Sequence, residues 1–242
     1  MKNWFILAAI GLLLFGCNPT NEEKAHDLLK KSIEAHGGED AWDQLAVIQF
    51  TKWTKLLDEN GNVESELNQW HEFRFKPYFE GKISWAKDSI DHVVSFDGAE
   101  ISYFLGGNEV KNRDFLAAKK KDFDAAFYTL AQPWKLLDGG GKLSYEGRKT
   151  LENNQEVESI RVDYGPDKDI WWYHFDSQSH LMVASEVQLK DHRSLVYDLE
   201  EENIEGLKLH GRRESWRINE KGERLFLRAE YLYSDYKITF KN

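Results

Sequence analysis

The chain has a single cysteine, Cys17, so no disulfide can staple its fold and stability must come from packing. Its N-terminal apolar run, Trp4 to Phe15, falls short of the roughly 20 residues that a membrane-spanning helix needs. Basic residues are in the minority, 32 Lys and Arg against 42 Asp and Glu, which leaves a net charge of −10. Such a surface repels nucleic-acid phosphates and anionic lipid headgroups, which argues against nucleic acid as a partner and against electrostatic adhesion to a membrane. The run Lys119-Lys120-Lys121 does not reverse this, because it falls on an expected helix as a solvated face. No internal repeat or low-complexity linker divides the sequence. A length of 242 residues suits one β-rich domain with a sizeable core.

What is present begins with an export signal. Lys2 supplies a charged start, Trp4 to Phe15 the apolar stretch, and Gly16 a small residue before the expected cut. Leu14-Phe15-Gly16-Cys17 resembles the lipobox of bacterial lipoproteins. That resemblance implies a signal peptide over 1–16, removed before Cys17, and lipidation of the Cys17 thiol and of the new N-terminus. Residues 17–21 then form a lipidated tether, through which the membrane is a partner. The alternative is an ordinary signal with a chance cysteine. Asn18, in place of the aspartate that retains some lipoproteins at the inner membrane, favours the outer membrane facing the periplasm.

Residues 22–242 read as a single domain. Helical spacing of Ala25, Leu28, Leu29, Ser32, Ile33 and His36 predicts a helix over Glu22 to His36, capped by Asn21 and ended by Gly37-Gly38. His36 in the last turn is expected to serve the helix dipole. A short turn, Glu39 to Leu45, offers Trp42 and Leu45 to the same core. From Leu45 the period changes to two. A first strand runs to the turn Asp58-Glu59-Asn60-Gly61-Asn62, whose Asn-Gly signals a hairpin. The return strand, Val63 to Lys76, carries His71, Phe73 and Phe75 on one face. Further strands are expected at Phe79 to Ala86, Ile90 to Phe96 and Glu100 to Leu105. A helical insertion near 112–133 follows, with Phe123, Ala126, Phe127 and Leu130 along one stripe. Strands then resume at Lys142 to Lys149, Glu156 to Asp163, Asp169 to Phe175, Leu181 to Lys190, Ser194 to Leu199, Leu207 to Ile218 and Leu225 to Phe240. The fold class is α+β, mostly antiparallel β, with about a dozen strands in a sheet large enough to curl or split.

Aromatic side chains are in excess: fourteen Phe, ten Tyr and nine Trp. In Ile170-Trp171-Trp172-Tyr173-His174-Phe175 both faces of a strand are bulky, so the strand is covered on both sides or lines a cavity on one. The order of elements, with Ala35-His36-Gly37-Gly38, Trp42, Leu45, Gln132-Pro133-Trp134-Lys135-Leu136-Leu137-Asp138-Gly139 and Tyr145-Glu146-Gly147, resembles the lipoprotein-sorting carrier and receptor (Lol-type) superfamily, in its branch of uncharacterised envelope lipoproteins. The resemblance implies a strongly curved sheet, or incomplete β-barrel, closed by helices and with an apolar interior that takes acyl chains in some members. It supplies no catalytic residue.

The chemical motifs fail on their own terms. Gly139-Gly140-Gly141-Lys142 lacks the glycine and hydroxyl residues of a phosphate loop, since Leu136 and Leu143 stand there. His71-Glu72 sits in a strand, with Phe75 where a zinc protease needs histidine. No Gly-x-Ser-x-Gly elbow occurs. Asp91-His92 and Asp191-His192 are adjacent and point to opposite faces of an extended strand, whereas His174 and Asp176 share a face if their strand continues; solvated or structural roles are expected for all of them. The expectation is therefore a binding protein, with no catalytic residue, metal or cofactor. Its apolar ligand, a lipid or acyl chain, is expected among Phe73, Phe75, Phe127, Trp134 and Trp172, with the 112–133 insertion as a gate. The alternative is a structural or partner-binding envelope lipoprotein with a filled core, its protein partner unspecified.

Overall fold

The computed structural model of the protein describes residues 18–138 and 140–241. The expected signal peptide and Cys17 lie outside the described residues. Helix α1, Asn21–Ala35, is capped by Thr20 rather than Asn21. The Thr20 hydroxyl accepts from the Glu23 amide at 3.2 Å, while the Thr20 amide donates to the Glu23 carboxylate at 2.7 Å. This reciprocal pair satisfies two end groups at once, where Asn21 could satisfy one. Gly37 and Gly38 end the helix at φ +113° and +88°, a region open to glycine alone without strain.

Helix α2, Glu39–Asp43, leads into β1, Leu45–Leu57. Successive hairpins then lay down β2 (Val63–Arg74), β3 (Glu80–Lys87), β4 (Ile90–Phe96), β5 (Ile101–Leu105) and the short β6 (Asn108–Glu109). At the first turn the Asp58 carboxylate accepts from the amides of Asn60 and Asn62 at 2.9 and 2.8 Å, and Gly61 takes φ +82°. Helix α3, Arg113–Leu130, and a 3-10 turn, Trp134–Leu137, carry the chain to β7 (Lys142–Thr150). There a second meander begins: β8 (Glu156–Asp163), β9 (Ile170–Asp176), β10 (Met182–Gln188) and β11 (Arg193–Asp198). A two-stranded excursion, β12 (Glu201–Ile204) and β13 (Leu207–His210), precedes β14 (Arg212–Ile218) and the long β15 (Arg224–Phe240).

The strand order explains the shape. Thirteen strands form one sheet in the order β6-β5-β4-β3-β2-β1-β15-β14-β11-β10-β9-β8-β7. The two meanders are therefore joined by their ends, through the antiparallel pair β1 and β15, in a seam that sets Ile48 opposite Ile238 and Trp53 opposite Leu232. The outermost strands, β6 and β7, do not pair with each other, so the curved sheet stays open. Helix α3 bridges the two edges in sequence and packs on β5, while α1 packs on β7. The fold is thus a mostly antiparallel curved sheet with helices over it, as the sequence predicts.

Two departures have local causes. The expected strand Leu207 to Ile218 is broken at Gly211, whose amide donates to the Glu200 carbonyl at 2.8 Å. A Cβ at that position would lie 2.8 Å from the same oxygen, so only glycine lets the two segments meet. Strand β12 carries no alternation of apolar residues because it pairs with β13 alone and buries little.

The main core lies between the sheet and the helices, from Leu29 and Ile33 of α1 to Phe50, Phe73 and Tyr173 of the sheet. A smaller cluster of Leu151, Val157, Ala184, Leu195, Tyr197 and Ile218 covers part of the opposite face. This second cover accounts for the two-sided bulk of β9: Tyr173 and Phe175 join the main core, while His174 is buried on the outer side.

Candidate functional site

The site begins with one strip of cross-strand pairs. On β1 and β2, Ile48 faces Phe73, Phe50 faces His71, Lys52 faces Gln69 and Thr54 faces Leu67. These pairs alternate by two residues, so all eight side chains share the inner face. The strip grades from buried Phe73 and His71 to half-buried Gln69 and Leu67. Ile83 of β3 lies opposite His71, and Val94 of β4 opposite Ile83. Above them α3 presents Lys119, Asp122, Phe123, Ala126 and Thr129. Sheet and helix frame a half-open cavity of about 400 Å³ with a mixed lining in which apolar surface is in moderate excess.

Phe123 is the inner wall of this cavity. Its ring is fully buried, with centroids 5.4 Å from Phe73, 5.6 Å from Phe96 and 6.3 Å from Phe79. It rests on Gly81, where a Cβ would come within 2.8 Å of the ring and 2.9 Å of the Glu72 carbonyl. Gly81→Ala is expected to cost about 1–3 kcal/mol by unseating that ring, read as a lowered urea midpoint. An unchanged midpoint would show that the ring is free to shift.

The cavity has a polar end. His71 is 1 % exposed, and neither ring nitrogen has a hydrogen-bond partner. Its imidazole stacks on Phe50 at 4.7 Å. Burial, with the Lys52 ammonium adding to it, pulls the His71 pKa down to about 3, so the ring is neutral near pH 7. Lys52 holds its ammonium 5.0 and 5.5 Å from the ring centres of Tyr231 and Tyr233. Lys119 is paired with Asp122 at 2.8 Å, and Lys120 with Asp124, so two of the three charges of the lysine run are balanced within their own helix.

The C-terminal end of α3 is anchored. His210 sets Nε2 2.9 Å from the Thr129 carbonyl and Nδ1 2.6 Å from the Asp198 carboxylate. Asp198 is also paired with Arg213 at 2.8 Å. Burial pushes the Asp198 carboxyl up, but the Arg213 guanidinium and His210 outweigh it and hold it below the usual carboxylate value. Beyond the helix, Trp134 donates to the Gly38 carbonyl at 2.9 Å and stacks on Trp42 at 4.4 Å. His36 does not act as a cation on the α1 dipole. It is buried against Trp134, and burial lowers its pKa to about 4 although its Nδ1 donates to the Ser32 carbonyl at 2.7 Å.

Four of the five aromatics predicted to meet a ligand are brought together. Phe127 lies 5.2 Å from Phe73 and 5.9 Å from Phe75, and Trp42 links Phe75 to Trp134. They form a packed wall behind Phe123, however, and none of the four lines the cavity. Trp172 faces the other way. It lies opposite Glu186 and beneath the Arg193 guanidinium, 4.9 Å from its ring centre, on the outer side of the sheet. Sequence reasoning missed Lys52, Gln69 and His71 as cavity residues. Their shared alternation with Phe73 was the available signal.

The outer side also holds the chain's one contact between serine, histidine and carboxylate to be found among the described hydrogen bonds and ion pairs. His174 Nδ1 lies 2.9 Å from the Ser159 hydroxyl, and its Nε2 lies 3.6 Å from Glu186. Glu186 is paired with Arg193 and, at 3.9 Å, with Lys149. Ser159 and His174 are 1 % and 0 % exposed, so no substrate reaches them and the group cross-links strands. Asp176 does not join it. Its carboxylate accepts instead from the Gln178 and Ser179 amides in the next turn.

No protein-family model matches the chain, and no curated protein matches it in sequence. Solved structures do match in shape. A DUF1329 family protein from Desulfovibrio piger is similar with a TM-score of 0.55 at 8 % identity, covering 91 % of this chain and 94 % of the other. A LolA superfamily protein from Nitrosomonas europaea gives 0.54 at 10 % identity over 90 % and 94 %. A putative outer membrane lipoprotein-sorting protein domain from Vibrio parahaemolyticus gives 0.54 at 9 % identity over 90 % and 93 %. The chain therefore has the LolA-like fold over nearly its whole described length.

Proposed function

We propose that the protein binds an apolar ligand, a lipid or acyl chain, in the cavity between α3 and strands β1 to β4. The observation that carries this reading is a space of about 400 Å³, walled in part by Leu67, Ile83, Val94 and Phe123, beside a core packed with aliphatic and aromatic side chains. Burying each methylene there contributes about 0.8 kcal/mol before the ordering costs of binding. The LolA-like fold supports the reading, as does its likeness to a lipoprotein-sorting domain. The reading is of binding, with no chemical step and no cofactor.

The remaining parts of the proposal rest on the sequence. Residues 1–16 are removed as a signal peptide, Cys17 carries lipid, and residues 17–21 tether the domain in the cell envelope, at the outer membrane facing the periplasm. A tethered domain acts as a receptor rather than as a soluble shuttle. The filled aromatic wall of Phe73, Phe75, Phe127 and Trp134 favours the second reading, a structural or partner-binding lipoprotein, unless α3 can lift. Native mass spectrometry of protein extracted from its own membrane tests the choice: a co-purifying apolar molecule is expected, and a bare protein mass would overturn ligand binding. The gate is tested separately. A covalent cross-link between α3 and β5, the strand it packs on, is expected to stop ligand exchange, and unchanged exchange would make the helix a fixed cover.

A further inference from the structure

We infer that the polar end of the cavity, formed by Lys52, Gln69 and His71, is a headgroup site, and that the ligand is a single-chain anionic amphiphile whose carboxylate lies there with its acyl chain against Ile83, Val94 and Phe123. The inference rests on the reading of the cavity as an apolar-ligand site and adds the class of ligand.

Three observations point to an anion. His71 is 1 % exposed, walls the cavity and has no hydrogen-bond partner for either ring nitrogen. A buried polar group without a partner costs about 1–3 kcal/mol, a cost that a bound ligand removes by supplying the missing partner. Lys52 stands on the same face, one cross-strand pair nearer the mouth. Its ammonium rests on two tyrosine rings and has no carboxylate partner among the described residues. The remaining charges of the lining cancel, because Lys119 and Asp122 are paired with each other at 2.8 Å. Lys52 is thus the lining's one uncompensated charge among the described residues, and it is positive. A carboxylate can accept from that ammonium and from an imidazole N–H together, and charge-assisted bonds of this kind are about twice as strong as neutral ones. Gln69, opposite Lys52, can donate a third.

Size limits the rest of the ligand. A cavity of about 400 Å³ lies near the lower end of the range for small-molecule sites, about 300–1,000 Å³. It suits one chain better than two. The packed aromatic wall behind Phe123 blocks deeper entry while α3 stays in place.

The test compares two ligands of equal chain length by calorimetry near neutral pH, laurate and dodecanol. Laurate is expected to bind at least tenfold more tightly. Lys52→Met, which keeps the length of the side chain without its charge, is expected to bring laurate to the level of dodecanol and leave dodecanol unchanged. His71→Phe, an apolar replacement for a ring that already stacks on Phe50, is expected to weaken laurate several-fold without weakening dodecanol. Equal binding of the two ligands to the unmodified protein overturns the headgroup site and leaves apolar-ligand binding standing. Failure of both to bind overturns both readings. Equal losses of laurate and dodecanol in Lys52→Met also overturn the headgroup site, because the side chain would then be acting on the fold of the cavity.

Discussion

Phe123→Ala is expected to lower the stability of the domain by about 3–5 kcal/mol, the usual loss for a buried aromatic ring cut back to a methyl group. The ring has no exposed surface and touches three other phenylalanines, so each of those contacts is lost without replacement. The backbone around it cannot collapse freely to fill the space, because β3 is held between β2 and β4 in a continuous ladder and Gly81 already sits directly beneath the ring. The variant therefore keeps a void, and that void extends the 400 Å³ cavity toward Phe73 and Phe79. Two measurements check the argument. Urea denaturation should give a midpoint well below that of the unmodified protein with a similar slope. A longer or bulkier apolar ligand should bind better to the variant than to the parent, because the ring that closes the inner end of the cavity is cut back while the wall behind it stays in place. A loss of less than about 1 kcal/mol would mean that neighbouring rings close over the gap, and the cavity would then be a plastic feature of the core.

How far the sequence discloses this arrangement depends on which physical rule sets each part. Local rules are readable. The Asn60-Gly61 turn, the glycines that end α1 and the stripe of Phe123 and Leu130 on α3 all depend on neighbours within one turn or one hairpin, and all appear where the sequence places them. The choice between the two faces of a strand is less local. In β2 the alternation groups His71 with Phe73, but only the sheet's curvature, and the helix laid over it, decides that this face is the interior. In β9 both faces are bulky, and alternation cannot say that Trp172 belongs outside until β8, β10 and β11 supply Ser159, Glu186 and the cover of Tyr197. The cavity is harder still. It is the space left where small and polar side chains, Ala126, Thr129, Gln69 and Lys52, come together from strands and a helix far apart in sequence. An excess of aromatics predicts a well-filled core at least as readily as a hollow one, and most of those rings are spent on filling.

Acid is expected to unfold the domain earlier than its carboxylates alone would require, because His36 and His71 are buried in their neutral forms. Burial lowers the pKa of His71 to about 3, with Lys52 adding to the effect. Burial lowers that of His36 to about 4 against the opposing Ser32 carbonyl and Asp198, with His210 and Lys208 assisting. In the unfolded chain both titrate near the ordinary histidine value of about 6.5. Between that pH and the folded values the unfolded state binds more protons, so stability rises with pH and is lost as pH falls. Each histidine contributes a slope of about 1.4 kcal/mol per pH unit, or about 3 kcal/mol by pH 4. His174 acts in the same direction, since burial lowers its pKa as well. Asp198 has the opposite timing: its folded carboxyl is held below the usual value, so the ion pair with Arg213 survives to lower pH and is lost only beneath the ordinary carboxylate range. His71→Phe isolates one of these protons. At pH 7 the variant should be as stable as the parent or more so, since an unpartnered polar ring is exchanged for an apolar one of similar shape. At pH 4 it should be more stable by at least about 3 kcal/mol, and its stability should fall by about one proton less between pH 6 and pH 4. Equilibrium urea denaturation across that range measures both. Parallel curves for parent and variant would show that His71 takes up its proton in the folded state. The imidazole would then be open to water, and the buried ring without a partner, on which the headgroup site depends, would not exist in solution.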